Sequence, residues 1–102
     1  MDDNLTAAVA KALAHPTRLQ ILRLLASQTE CRGADVFSEL PLAQSTVSEH
    51  LRILKHAELI SSRPETSGNG MVYCLNPRAF EDLIAALSGI TAASICNPTG
   101  RC

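Results

Sequence analysis

Two sets of side chains in this 102-residue sequence have the types and spacing for chemistry. The first is Gln44-Ser45-Thr46-Val47-Ser48-Glu49-His50, a run of hydroxyls and hydrogen-bonding groups followed by Arg52 and Lys55. Gln carries a donor and an acceptor side by side and can hold an adenine edge in two places; Ser and Thr can donate to a base or a phosphate. Their small size also lets a backbone approach a groove closely. Arg52, Lys55 and, further on, Arg63 carry charge suited to phosphate, which adds salt-dependent affinity without reading sequence. The second set is four cysteines: Cys31, Cys74, Cys96 and Cys102. Paired thiolates select soft ions, and three together suit trivalent arsenic or antimony. The stretch between Cys96 and Cys102 can fold back, and Arg101 beside Cys102 favours a thiolate by its charge.

Each set also has a plainer reading. A polar helix face is what an ordinary solvated surface looks like, or the face of a protein-binding module. Cys31 and Cys74 fit simple packing as small hydrophobes. Cys96 and Cys102 fit idle thiols in a flexible tail, or a redox switch that closes a disulfide between them. As a metalloid site, Cys96 and Cys102 would take Cys31 as third ligand, from the same subunit or a second one. Cys74 ranks below it, on a strand and opposite the side of Met71, Tyr73 and Leu75. His15, His50 and His56 have no ligand-like spacing among them and read as structural or DNA-facing.

The elements that must position these residues follow from periodicity. Leu5, Ala8, Val9, Ala12 and Leu13 recur at helical spacing over Asn4–Leu13. His15-Pro16 breaks that run, and proline suits the first turn of a second helix over residues 16–27, with Leu19, Leu22, Leu25 and Ala26 on one stripe. Residues 28–33 form a polar connector. A short helix is predicted over Ala34–Leu40, and another from Ala43 to Glu58, with Val47, Leu51 and Leu54 inward and Ser45, Ser48, Glu49 and Arg52 opposite. Alternation then replaces the helical period. Ile60–Arg63 and Met71–Leu75 predict an antiparallel hairpin around the turn-forming segment from Pro64 to Gly70, with a mobile tip. Asn76-Pro77 opens a last helix with Phe80, Leu83, Ile84, Leu87 and Ile90 along one face. The fold class is therefore mainly α with a small β-hairpin, in the order α-α-α-α-β-β-α, a winged helix-turn-helix. In that arrangement the second helix of the pair enters the major groove and its N-terminal residues meet the bases.

Composition bounds the rest. Hydrophobic residues make up 46% and aromatic residues 3%, so the core must be aliphatic. The net charge of -1 gives no bulk affinity for nucleic acid, so a DNA-binding face has to be local. The start, Met1-Asp2-Asp3-Asn4, is acidic where a secretory signal is basic. The apolar stretch at 83–95 is interrupted by Ser88, Gly89, Thr91 and Ser94, and falls short of the roughly 20 apolar residues of a membrane span. The expectation is a cytoplasmic protein with reduced thiols rather than a disulfide frame. No phosphate loop, nucleophile elbow or His-Glu-x-x-His occurs, which argues against an enzyme.

Three motifs in order carry a family resemblance. Leu13-Ala14-His15-Pro16-Thr17-Arg18-Leu19-Gln20-Ile21-Leu22 resembles the L-x-H/D-P-x-R-L-x-I-L opening of the ArsR/SmtB family. Gln44-Ser45-Thr46-Val47-Ser48-Glu49-His50-Leu51-Arg52-Ile53-Leu54 resembles its Q-S-x-x-S-x-H-L-x-x-L recognition helix, and residues 70–75 its wing strand. The resemblance covers residues from about 5 to 90. It implies a homodimer built through the first and last helices that binds a palindromic double-stranded DNA operator, represses a nearby promoter and is released by an inducer. It makes Gln44, Ser45, Thr46, Ser48, Glu49, His50, Arg52, Lys55 and Arg63 the candidate DNA-binding residues. Together with the thiolate chemistry above, it makes As(III) or Sb(III) on Cys96, Cys102 and Cys31 the candidate inducer site, with a redox-responsive or non-metal-sensing regulator as the alternative. The family's Cys-x-Cys site is incomplete here, since Cys31 stands without a second Cys; its last-helix His site is absent, since no His follows His56. Residues 1–95 are read as one DNA-binding and dimerisation domain and 96–102 as a Cys-containing tail. Glu58 stands where the family commonly has Gly, a position that would strain Glu if its backbone is left-handed.

Overall fold

The computed structural model describes residues 1–27, 30–66, 68 and 70–92. Helix α1 (Asp3–Leu13) is capped by Asp2, whose carboxylate accepts the Leu5 N–H at 2.7 Å. Helix α2 (Pro16–Ala26) starts on His15, in the extended conformation that a following proline favours, and the His15 Nδ1 accepts the Thr17 N–H at 3.2 Å. Strand β1 (Arg32–Gly33) and a 3₁₀ segment (Ala34–Glu39) lead to helix α3 (Gln44–His56). Strands β2 (Ile60–Pro64) and β3 (Met71–Leu75) form the hairpin, closed by the Glu65 N–H on the Gly70 carbonyl at 2.9 Å, and helix α4 (Pro77–Ala92) follows.

The expected element order holds, with one addition. The connector after α2 contributes β1, which pairs antiparallel with β3 and makes the wing a three-stranded sheet in the order β1-β3-β2. Two residues are too few to show a period, which is why this strand is silent in the sequence. The short helix forms as 3₁₀ rather than α, in keeping with its length.

One aliphatic core joins the helices and the sheet. Ile21, Leu54, Leu59 and Val9 are fully buried at its centre, with Leu22, Leu25, Phe37, Val47, Leu51, Ile60, Ala79 and Leu83 around them. Tyr73 and Leu75 pack on it from β3 as the alternation predicts, and Phe37 meets Tyr73 edge to face at 5.8 Å. Met71 does not join them and is 36% exposed, whereas Val72 on the other side of the strand is buried at 8%. Asn76 is not used as a simple cap: its side-chain amide donates to the Glu58 carbonyl at 2.8 Å and its backbone N–H to the Leu59 carbonyl at 3.0 Å. These bonds fix the end of α3 against the start of α4, so the recognition segment and the last helix share one anchor.

Candidate nucleic-acid interface

Helix α3 divides cleanly. Val47, His50, Leu51 and Leu54 are buried, while Gln44, Ser45, Thr46, Ser48, Glu49, Arg52 and Lys55 are exposed. Positions 45, 48, 49, 52 and 55 recur at three- and four-residue steps and therefore form one continuous outer stripe. No side chain caps the start of α3 at Ala43, whose carbonyl accepts the Thr46 and Val47 N–H groups at 3.0 and 3.1 Å. Arg63 is exposed on β2, in register with Val72 of β3. A cleft of about 440 Å³, with Leu42, Gln44, Ser48, Gly70 and Met71 on its walls, separates the recognition helix from the wing.

Of its two readings, structural or DNA-facing, His50 has the geometry of the structural one and not of a DNA-facing residue: it is 9% exposed and its Nδ1 accepts from the Arg18 Nε at 3.2 Å. Its ring lies 4.6 Å from that of His15, and Arg18 also donates to the Ala12 carbonyl at 3.2 Å. His15, Arg18 and His50 thus tie α1, α2 and α3 together. Burial, followed by the charges of His15 and Arg18, pulls the His50 pKa below the ordinary histidine value. Arg18 was missed as a partner because the contact spans 32 residues of sequence, and only the resemblance singles out both motifs.

Glu49 and Arg52 meet at 2.6 Å in a two-pronged pair on the exposed stripe. The hydrogen bond from Arg52 holds the Glu49 carboxyl below the usual carboxylate range. Arg52 is therefore pre-aimed, and a phosphate would have to compete with Glu49 for it. A fork-shaped guanidinium can serve both when the anions lie on different edges.

The cysteines fall differently from expectation. Cys31 and Cys74 are joined in a disulfide with Cα atoms 4.6 Å apart. A bonded sulfur has no thiolate to offer a metal, so Cys31 is not a third ligand in this state, and the expectation of uniformly reduced thiols does not hold. Cys96, Cys102 and the rest of the tail at 96–102 lie outside the described residues. Among the described residues no cluster of three or more His, Cys, Asp or Glu is placed to hold a metal ion. Nor, among them, is any helix long and apolar enough to cross a membrane.

Comparison with known proteins agrees with this geometry. Residues 15–62, from the capping His15 to the middle of β2, match the family described as bacterial regulatory protein, arsR family. The transcriptional repressor SdpR of Bacillus subtilis is 37% identical over 76 residues, which is 74% of this chain and 81% of that one. The arsenical resistance operon repressor of Staphylococcus aureus is 31% identical over 86 residues, 84% of this chain and 80% of that one. The homodimeric winged helix-turn-helix DNA-binding domain of a Mycobacterium bovis protein superposes with a TM-score of 0.66 at 29% identity, over 90% of this chain and 87% of that one. A recognition helix turned outward beside a three-stranded wing, in a sequence with these relatives, makes this chain a member of the ArsR family of winged helix-turn-helix transcriptional regulators, a DNA-binding protein and not an enzyme.

Proposed function

We propose that this regulator is a cytoplasmic homodimeric repressor that binds a palindromic operator and leaves it when an inducer binds. The observation that carries the reading is the outer stripe of α3: Gln44, Ser45, Thr46 and Ser48 at the leading end, then Arg52 and Lys55, all exposed while the opposite side is locked in the core. The leading residues would read base edges, and Arg52, Lys55 and Arg63 would meet phosphate. Two copies related by a two-fold axis would set their recognition helices roughly 34–36 Å apart, one helical turn of DNA. For the inducer, the reading is a soft metalloid, arsenite or antimonite, held by Cys96 and Cys102. Cys31 would join them only as a free thiol. The arsenical repressor of S. aureus among the relatives supports this class of inducer.

The test is a gel mobility shift with the DNA upstream of the protein's own gene, repeated at rising salt. Specific binding that weakens steeply with salt is expected. Gln44→Ala should lose about 1–3 kcal/mol of sequence discrimination, and Lys55→Ala should flatten the salt slope without changing preference. Arsenite should release the DNA, and Cys96→Ser or Cys102→Ser should abolish that release while leaving binding intact. Indifference to DNA would sink the repressor reading; an unchanged arsenite response in both Ser variants would sink the tail site.

A further inference from the structure

The DNA-facing stripe makes no use of Cys31 and Cys74. Arg32 faces Tyr73 and Gly33 faces Val72 in the β1–β3 pairing, so one further step of the same register sets Cys31 opposite Cys74. Their 4.6 Å Cα separation is that of a non-hydrogen-bonded antiparallel pair, where side chains approach closest, and it lies within the range a disulfide requires. Neither residue is sealed in the core: Cys31 is exposed and Cys74 half-buried. A cleft of about 320 Å³, walled by Leu25, Glu30, Tyr73, Leu75 and Pro77, opens on the pair and gives a small molecule room to reach it.

The bond also joins two parts with different tasks. Cys31 belongs to the link from α2 to the 3₁₀ segment and α3, whereas Cys74 sits in the central strand of the wing. Strand β1 brings two residues to the sheet, so its hydrogen bonding alone is a weak hold on the wing root.

We propose that Cys31 and Cys74 are a reversible two-electron redox couple whose disulfide clamps the wing root to the helix-turn-helix, and that the oxidised form binds operator DNA more tightly. The oxidant is a small organic disulfide. The thiolate of Cys31, the more exposed sulfur, attacks one sulfur of that disulfide; its S–S bond breaks and one small thiolate leaves. Cys74 gives its proton to solvent and attacks the Cys31 sulfur, the mixed disulfide breaks, and the second small thiolate leaves. Each departing thiolate takes up a proton, so the two cysteines lose two electrons and the small disulfide gains two. The clamp orders the wing before DNA arrives, and binding no longer bears that cost. The affinity part of this inference rests on the DNA-binding reading; the couple itself does not.

The experiment uses the full chain carrying Cys96→Ser and Cys102→Ser, equilibrated across ratios of reduced to oxidised glutathione. Peptide mapping should show the Cys31–Cys74 cross-link form and disappear in one two-electron transition. On reduction, amide exchange at Arg32 and Tyr73, the hydrogen-bonded pair of the β1–β3 ladder, should speed up, and affinity for the DNA upstream of the gene should fall by about three- to tenfold, the scale of ordering one or two side chains. Cys31→Ser and Cys74→Ser, added singly, should behave as the reduced protein in every buffer. Absence of the cross-link at every ratio overturns the couple. A complete cross-link with unchanged amide exchange, or with unchanged DNA affinity, overturns the clamp. DNA binding lost in both redox states counts against the repressor reading, while mapping and exchange still decide the couple and the clamp.

Discussion

Glu58 has a backbone φ of 62°, in the left-handed region that L-residues other than Asn and Asp rarely enter. It holds that conformation because the end of α3 is a Schellman turn. The Leu59 N–H donates to the Leu54 carbonyl at 3.1 Å and the Glu58 N–H to the Lys55 carbonyl at 2.9 Å. Leu54 and Leu59, at the two ends of the turn, are fully buried. Among the described residues nothing pairs with the Glu58 side chain, which is exposed. Glu58→Gly should therefore stabilise the fold by about 0.5–1 kcal/mol, the steric relief less the extra freedom of an unfolded Gly. A urea melt at fixed protein concentration measures it; Glu58→Ala, which keeps the Cβ, should give no such gain. This residue was legible as a departure from the family's Gly, and the structure supplies the reason. His50 was not legible in the same way. Its place beside the buried stripe of α3 is visible in the sequence, but its removal from the DNA-facing set depends on Arg18, which only the folded chain brings near.

At the scale of elements, α4 splits the apolar face that the sequence draws as one. Ala79 and Leu83 close the core of the subunit, while Ile84, Leu87 and Ile90 stand 63%, 49% and 68% exposed. Leu5 of α1 is exposed at 45% as well. Periodicity locates an apolar stripe but does not divide it between a subunit's own core and a neighbour's surface. Only the packing of the first half of α4 against the body settles which residues remain over. A two-fold interface uses each residue twice, so an isoleucine buried there contributes about 3 kcal/mol or more. In the proposed homodimer, Ile90→Glu should therefore raise the dissociation constant by at least about a hundredfold. Sedimentation would show monomer at concentrations where the parent is dimeric, and operator binding would weaken with it while the helical circular dichroism stays. A dimer unmoved by Ile84→Glu and Ile90→Glu together would exclude this face as the interface. The β1 strand marks the opposite limit of legibility. It is invisible in the sequence, yet it is what brings Cys31 to Cys74, so the redox couple becomes readable only once the sheet is in hand.

Across the whole molecule, the His15–Arg18–His50 cluster is the one place where the three helices that carry the DNA-reading unit meet through polar groups among the described residues. The groups facing His50 are His15, Arg18 and Glu49, and the net effect of burial and these charges lowers its pKa. An unfolded chain returns His50 to the ordinary value near pH 6.5. As pH falls through that value, the unfolded chain takes up a proton that the native one refuses, so folding stability declines with falling pH and is fully present above it. One group can give a slope of at most about 1.4 kcal/mol per pH unit in that window. Urea unfolding at pH 7.5 and pH 5.5, at fixed protein concentration, should show this loss, and His50→Gln, which cannot charge, should flatten the dependence even if its stability is lower at both. The same cluster orients α3, so protonation that loosens it would also loosen the stripe offered to DNA. Operator affinity in the parent should then fall between those pH values by more than in His50→Gln. An identical pH dependence in the two proteins would mean that the cluster holds the helices together without transmitting its charge state to the reading head.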